Sequence, residues 1–263
     1  MDSAISEFFE LSDFNKETLT NGAITPQTQY VIAKRIDSIL SEDNLFLEMC
    51  CGGGWLSARL CELNSRRIAF LMDVSAQQAR LARAIHPLSR VVLVGDATNI
   101  PLRSRTLGAV LCSFAVHLFT HNQLREVALE TSRVCADESV VVIVTFLKSD
   151  IGQSLFDQFI EGYADVDRAR FFNFEEISQA LAFGGWKLLV GERIKFAENI
   201  TVRAFCDMLY SRPFSTFQLL RQLKSEEWLS AEIERAANRA TMATHRGILH
   251  SERAVSLLVF RKG

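Results

Sequence analysis

The stretch that decides the fold is Leu45-Phe-Leu-Glu-Met-Cys-Cys-Gly-Gly-Gly-Trp-Leu56. An apolar run ends in the acid Glu48, and after two cysteines come the three glycines Gly52, Gly53 and Gly54. In α/β proteins, an apolar strand that runs into glycines and then into a helix brings backbone N–H groups close to a nucleotide. The stretch therefore predicts a buried strand, a ligand-binding loop and a helix in direct succession.

Outside this stretch, apolar runs alternate with amphipathic stretches. Upstream, Thr25-Pro26 predicts a helix start, because threonine caps helices and proline suits the first helical position. Downstream, further strands are predicted at 68–72, 91–94, 109–112, 140–146, 186–194 and 254–260. Such alternation predicts an α/β fold, a doubly wound and mostly parallel seven-stranded sheet with helices on both faces.

The predicted elements divide the chain into four parts. Residues 1–40 form an N-terminal helical segment or lid, and residues 41–195 form the nucleotide-binding core. Residues 196–250 are mostly helical and too long for a simple connection between strands, so they are expected to form an inserted cap. Residues 251–263 then supply the final core strand.

Two acids follow the glycines at the ends of predicted strands. Asp73 lies 21 positions after Gly52, where an acid at the end of the next strand can accept hydrogen bonds from both hydroxyls of a ribose. Asp96 follows the third strand, in the segment Val94-Gly95-Asp96-Ala97. Each acid alone could be a turn residue or a helix cap. Together with Glu48 they place an acid at three successive strand ends, which favours a nucleoside site.

The run Glu48-Met-Cys-Cys-Gly-Gly-Gly54 resembles the first motif of the class I methyltransferases that use S-adenosylmethionine, acid-x-Gly-x-Gly-x-Gly, with Cys50 in place of the first glycine. The segment Val94 to Ala97 resembles the family segment whose aspartate contacts the adenine amino group and whose next amide reaches the ring. The resemblance implies S-adenosylmethionine as cofactor and a last strand that runs antiparallel. The implied cofactor-binding residues are Glu48, Cys50, Gly52, Gly54, Asp73, Val74, Asp96, Ala97 and Ser113.

The fourth strand and its loop, Ala109-Val-Leu-Cys-Ser-Phe-Ala-Val-His117, resemble the family segment beside the transferable methyl group. Leu107-Gly108 stands before it, where many relatives have Phe-Asp. His117 is the candidate catalytic residue, a general base for a hydroxyl acceptor; the simpler alternative is that it lines the pocket. Cys50 is small, and we expect it to be tolerated beside the methionine end of the cofactor.

The expected reaction is in-line methyl transfer to an oxygen, nitrogen or carboxylate acceptor on a small molecule or a carrier-bound acid. The helices before the last strand resemble the layout of small-molecule and acyl-carrier carboxyl methyltransferases. Their phenylalanines predict either an apolar cavity or an ordinary helical core. Two other functions stay open: an NAD-dependent oxidoreductase, since Asp73 would serve NAD equally well, and a non-catalytic partner subunit that binds the cofactor.

Composition excludes several classes of function. The net charge of -2 and a pI near 6.2 give no basic footprint for nucleic acid. The sequence shows neither a secretory signal nor a long apolar run, so a cytoplasmic protein without a membrane partner is expected. The six cysteines lack C-x-x-C spacing, which indicates reduced thiols and no metal site. The oligomeric state does not follow from the sequence.

Overall fold

The structure, a computed structural model, describes residues 24–41, 45–85 and 91–263, so most of the expected N-terminal lid lies outside the described residues. Its helices and strands follow the predicted alternation. In chain order they are α1 (Pro26–Asp37), β1 (Leu45–Met49), α2 (Trp55–Leu63), β2 (Ile68–Asp73), α3 (Ala76–Ile85), β3 (Val91–Val94), β4 (Leu107–Ser113), α4 (His121–Val134), β5 (Cys135–Thr145), α5 (Leu155–Phe159), α6 (Tyr163–Arg170), α7 (Phe174–Ala182), β6 (Trp186–Thr201), α8 (Val202–Ser211), α9 (Ser215–Leu223), α10 (Glu226–Met242) and β7 (Ile248–Lys262).

The strands form one seven-stranded sheet in the order β3-β2-β1-β4-β5-β7-β6. β1 pairs in parallel with β2 and β4, and β5 continues the parallel set. β7 runs antiparallel to β5. This arrangement confirms the predicted α/β fold, a mostly parallel sheet with helices around it and an antiparallel last strand.

The strand register brings the ends of four strands to one edge of the sheet. Met49, the last residue of β1, lies opposite Met72 of β2 and Cys112 of β4. Asp73, which ends β2, lies opposite Val94 at the end of β3. Ligands of open parallel sheets bind at the carboxyl ends of the strands. The stretch that follows β1 is therefore in the place where such a ligand would bind.

Local sequence signals set the helix starts around this edge. The Thr25 side chain accepts a hydrogen bond from the Thr28 N–H, and Pro26 begins α1 as predicted. Thr120 and Gln123 form a capping box at the start of α4. Gly54 precedes α2 with φ of 71°, a left-handed conformation that glycine adopts without steric cost.

Three strands extend well beyond one of their predicted bounds. β5 begins at Cys135 and not at residue 140, β6 continues to Thr201 beyond the predicted end at Ile194, and β7 begins at Ile248. Exposed and half-buried side chains alternate through most of β6, the pattern of a strand with one face partly covered, whereas the sequence predicted a helical segment from residue 196 on. The first and last residues of the predicted 196–250 insertion are thus strand, and its helices span 202–242.

Contacts divide the chain into two compact units. Of the residues that the structure describes, the first unit comprises 24–41, 45–85, 91–145, 172–194 and 256–263, and the second comprises 146–171 and 195–255. The structure thus groups residues 146–171 with the helical segment, whereas the boundaries predicted from sequence placed them in the core.

The second unit has its own aromatic core. Phe205 and Phe217 are each 1% exposed, and the ring of Phe156 lies 5.3 Å and 5.7 Å from theirs. Leu209, Leu220 and Ile233 complete the interior with other residues of this unit. These phenylalanines pack against one another, as in the second alternative predicted from the sequence.

Candidate functional site

The loop between β1 and α2 is held against the end of β2 by backbone hydrogen bonds. The Cys51 N–H donates to the Met72 carbonyl at 3.0 Å, and the Gly54 N–H donates to the Cys51 carbonyl at 2.7 Å. Gly52 has φ of 49°. A Cβ on Gly52 would meet only the Gln78 Oε1 atom, at 3.9 Å. The glycine therefore leaves open space where a ligand can approach the backbone.

Glu48 joins three elements from inside the protein. Its side chain is fully buried. Its Oε2 atom accepts from the Ser57 N–H of α2 at 2.9 Å, and its Oε1 atom accepts from the Ser113 hydroxyl at the end of β4 at 3.2 Å. The carboxylate thus fixes the glycine loop and α2 against β4. Direct cofactor contact by Glu48 or Ser113 stays a prediction.

Asp73 is oriented by two backbone N–H groups. Its Oδ2 atom accepts from the Gly52 N–H at 2.9 Å, and its Oδ1 atom accepts from the Ser75 N–H at 3.0 Å. A carboxylate offers about four lone-pair sites, so one carboxylate can accept several hydrogen bonds at once. The half-exposed Val74 follows it directly. The structure thus joins the glycine loop to this acid, and contact of Asp73 with a ribose stays a prediction.

Asp96 lies in a turn after β3. Its Oδ1 atom accepts from the Thr98 N–H at 2.9 Å, and its carbonyl accepts from the Asn99 N–H at 3.0 Å. Asp96 itself is exposed, whereas Ala97 is 3% exposed. The acid therefore shapes the turn and leaves part of its carboxylate accessible.

An ion pair on α4 anchors the segment that follows this turn. The Ile100 N–H donates to Glu130 Oε2 at 2.9 Å. Arg133 donates to the carbonyls of Ile100 at 2.8 Å and Leu102 at 2.9 Å, and to Glu130 at 2.8 Å and 2.7 Å. We call Glu130 and Arg133, with the backbone groups that they bind, the α4 clamp. Sequence reasoning missed it, because its partners are about thirty residues apart and no local pattern joins them.

Cys50 adopts the left-handed conformation that its position requires, with φ of 51°. Burial raises the pKa of its thiol well above the ordinary value, and the neighbouring Cys112 and Asp73 raise it further, with Cys51 and Asp96 adding to the effect. These electrostatic effects show that the predicted site residues lie close together. Burial likewise raises the pKa of Cys112 to about 12. Both thiols are therefore neutral at physiological pH and act as small apolar groups.

Two aromatic rings lie close together, that of Trp55 at the start of α2 and that of Phe114 directly after β4. Phe114 has φ of 52°, an uncommon conformation for a bulky residue, and its N–H donates to the Val144 carbonyl at 2.8 Å. Its ring centroid lies 6.2 Å from that of Trp55. His117 follows in a short 3₁₀ helix and is half-buried; its catalytic role stays a prediction.

Sequence reasoning also missed Gln78. This side chain is 2% exposed, and its amide oxygen and nitrogen are both buried without a hydrogen-bond partner. Gln78 shares the buried side of α3 with Ala82, four positions later. A polar residue at helical spacing from buried alanines was the available signal.

Residues 46–138 match the family described as the methyltransferase domain. The match begins in β1 and includes the glycine loop, Asp73, Asp96 and Ser113. This part of the chain, from β1 into β5, is therefore similar to a methyltransferase domain. None of the curated proteins matches the chain by sequence.

Solved structures share the fold of this methyltransferase domain at low identity. A SAM-dependent methyltransferase from Aquifex aeolicus is 16% identical, with a TM-score of 0.52, covering 71% of this chain and 90% of its own. A provisionally assigned methyltransferase from Bacillus halodurans is 18% identical, with a TM-score of 0.57, covering 89% and 99%. The [4+2]-cyclase SpnF is 14% identical, with a TM-score of 0.56, covering 90% and 80%. The fold alone therefore does not decide the reaction.

Two further charged or polar side chains contact glutamates. His121 Nε2 lies 3.3 Å from Glu176 Oε1, and Arg212 Nη1 lies 2.6 Å from Glu226 Oε1.

Within the described ranges, no group of three or more His, Cys, Asp and Glu side chains is arranged to hold a metal ion. None of the helices in that part of the chain is long and apolar enough to cross a membrane.

Proposed function

We propose that this chain is an S-adenosylmethionine-dependent methyltransferase that acts on a small molecule or a carrier-bound acid. The observation that carries the proposal is the Asp73 carboxylate, which two backbone N–H groups orient beside the glycine loop. In this proposal the carboxylate accepts from the ribose hydroxyls, and the turn at Asp96 and Ala97 holds the adenine. The methyltransferase domain match supports the same cofactor.

The residues present fit this cofactor. Gly52 leaves open space over the loop backbone, since a Cβ there would meet a single atom at 3.9 Å. The neutral thiol of Cys50 adopts the left-handed conformation without a glycine and is small enough to lie beside the methionine end. The buried amide of Gln78 leaves hydrogen-bonding capacity unused.

The cofactor supplies an electrophilic methyl group on a sulfonium, so the protein needs mainly to align the acceptor and exclude water. Glu48 holds the glycine loop and β4 in one arrangement through Ser57 and Ser113. A carboxylate or amine acceptor attacks without a base. For a hydroxyl acceptor, we assign proton removal to His117, because imidazole is the side chain that most often serves as a general base.

Transfer of an isotopically labelled methyl group tests the proposal. The protein is incubated with methyl-labelled S-adenosylmethionine and separate panels of carboxylic acids, amines and phenols, and the labelled product is identified by mass spectrometry. We expect one panel to accept the label. A loss of transfer in His117→Ala only for hydroxyl acceptors would support the base. If the protein binds the cofactor but labels no acceptor, the non-catalytic alternative is correct.

A further inference from the structure

Gln78 has an unusual environment for a buried amide. It is the third residue of α3, and its backbone N–H already donates to the Ser75 hydroxyl at 3.2 Å. Its side chain takes no part in this cap, and both amide atoms are buried without a partner. Ser57 and Ser256 each have one buried hydroxyl oxygen without a hydrogen-bond partner, whereas Gln78 has both an oxygen and a nitrogen without one. Buried polar groups normally have partners, so this amide calls for a specific explanation.

The oxygen of the amide lies beside the glycine loop. Its Oε1 atom is 3.9 Å from the position of a Cβ on Gly52. The N–H of Gly52 donates to the Asp73 carboxylate. Gln78 therefore lies against the glycine that contacts the acid assigned to the ribose.

The Asp73 carboxylate and the Gln78 amide together offer the hydrogen-bonding groups that ribose hydroxyls need. A ribose hydroxyl both donates and accepts a hydrogen bond. The Asp73 carboxylate only accepts, and two of its sites already serve Gly52 and Ser75. The Gln78 amide offers both a donor and an acceptor, and its oxygen lies near Gly52, the residue whose N–H donates to Asp73.

We propose that the Gln78 amide hydrogen-bonds the ribose of the bound cofactor and selects for its hydroxyl groups, a role that rests on the proposed function. The unpaired amide then destabilises the ligand-free protein and is satisfied on binding. Stability and affinity are thus opposed at this residue, as is common at functional sites. A residue with a purely structural role would not show this opposition.

The test measures affinity and stability in the same variants. Gln78→Met keeps the length of the side chain and removes its hydrogen bonds, and Gln218→Met in α9 is the matched control. We expect Gln78→Met to weaken S-adenosylhomocysteine binding about tenfold by calorimetry, the loss of a buried hydrogen bond. Its melting temperature without ligand should equal or exceed that of the wild type. Gln78→Leu replaces it if the methionine variant does not fold.

Deoxy analogues identify the group that Gln78 contacts. We expect the 2′-deoxy or the 3′-deoxy form of S-adenosylhomocysteine to lose affinity for the wild type. In Gln78→Met, the same analogue should lose clearly less affinity relative to S-adenosylhomocysteine, because the missing hydroxyl has no amide left to bond. Two results overturn the inference. The first is that, for both analogues, the affinity loss from the missing hydroxyl is the same in Gln78→Met as in the wild type. The second is that Gln78→Met binds S-adenosylhomocysteine with unchanged affinity. A wild type that binds no S-adenosylhomocysteine overturns the proposed function as well, so the two failures are distinguishable.

Discussion

Glu130 and Arg133 are expected to hold the turn that carries Asp96. Glu130→Ala removes the acceptor of the Ile100 N–H, and Ile100 is only 2% exposed. A buried N–H that loses its acceptor costs about 1–3 kcal/mol. The ion pair itself adds little, because the Glu130 and Arg133 side chains are 19% and 37% exposed and solvent screens them. We therefore expect Glu130→Ala to lower the free energy of unfolding by about 2 kcal/mol.

The same substitution should weaken cofactor binding, because the anchor of the Asp96 turn is lost. We expect S-adenosylhomocysteine affinity to fall about fivefold, in the range of one neutral hydrogen bond. Urea unfolding and calorimetry measure the two effects, with the exposed Glu126 on the same helix replaced by alanine as control. Glu126→Ala should change stability by less than about 0.5 kcal/mol. If Glu130→Ala matches this control in both measurements, the α4 clamp does not anchor the turn.

The ion pair between Glu130 and Arg133 also predicts that the stability of the protein depends on pH. The hydrogen bond from Arg133 lowers the pKa of Glu130 below its ordinary value. A carboxyl group whose pKa is lowered by folding stabilises the protein above its unfolded pKa of about 4.3, and this stabilisation is lost as pH falls through the folded value. The stability difference between wild type and Glu130→Gln should therefore be full at pH 7 and shrink below about pH 4. A difference that stays constant down to pH 2 would contradict the assignment.

Three further predictions concern single residues. Cys50→Gly should keep S-adenosylhomocysteine affinity within about threefold, since glycine suits φ of 51°; loss of binding in a folded variant would show that the thiol is required. Gly184→Ala should lower the unfolding free energy by about 3 kcal/mol, because the added Cβ would lie 2.1 Å from the Ala128 carbonyl oxygen; a loss under about 0.5 kcal/mol in urea unfolding would refute this. Native Cys112, with its pKa raised to about 12, should resist iodoacetamide at pH 8 while the unfolded protein reacts, as followed by mass spectrometry; equal rates would contradict its burial.

The sequence predicted the elements that local patterns specify. An apolar run followed by glycines was sufficient to place β1, its loop and α2, and Thr25-Pro26 was sufficient to begin α1. The sequence also placed Asp73 at the end of the strand that follows the glycines, and in the structure Asp73 ends β2. Each of these features depends on residues close together in the chain or on the regular geometry of parallel strands.

The features that the sequence did not predict depend on tertiary partners. Glu130 reaches Ile100 across thirty positions, and the unpaired amide of Gln78 is evident only once its surroundings are known. β6 continues past Ile194 through exposed polar residues that pair along the sheet edge. Hydrophobic patterning identifies a buried face and carries little information about such contacts.

The central claim is that the loop from Cys50 to Gly54 and the Asp73 carboxylate bind S-adenosylmethionine. Isothermal titration of the wild type and of Asp73→Asn with S-adenosylhomocysteine and with NAD tests it most directly. We expect one saturable site for S-adenosylhomocysteine, at least tenfold weaker in Asp73→Asn because a charge-assisted acceptor is lost, and no binding of NAD. Saturable binding of NAD without binding of S-adenosylhomocysteine would contradict the account.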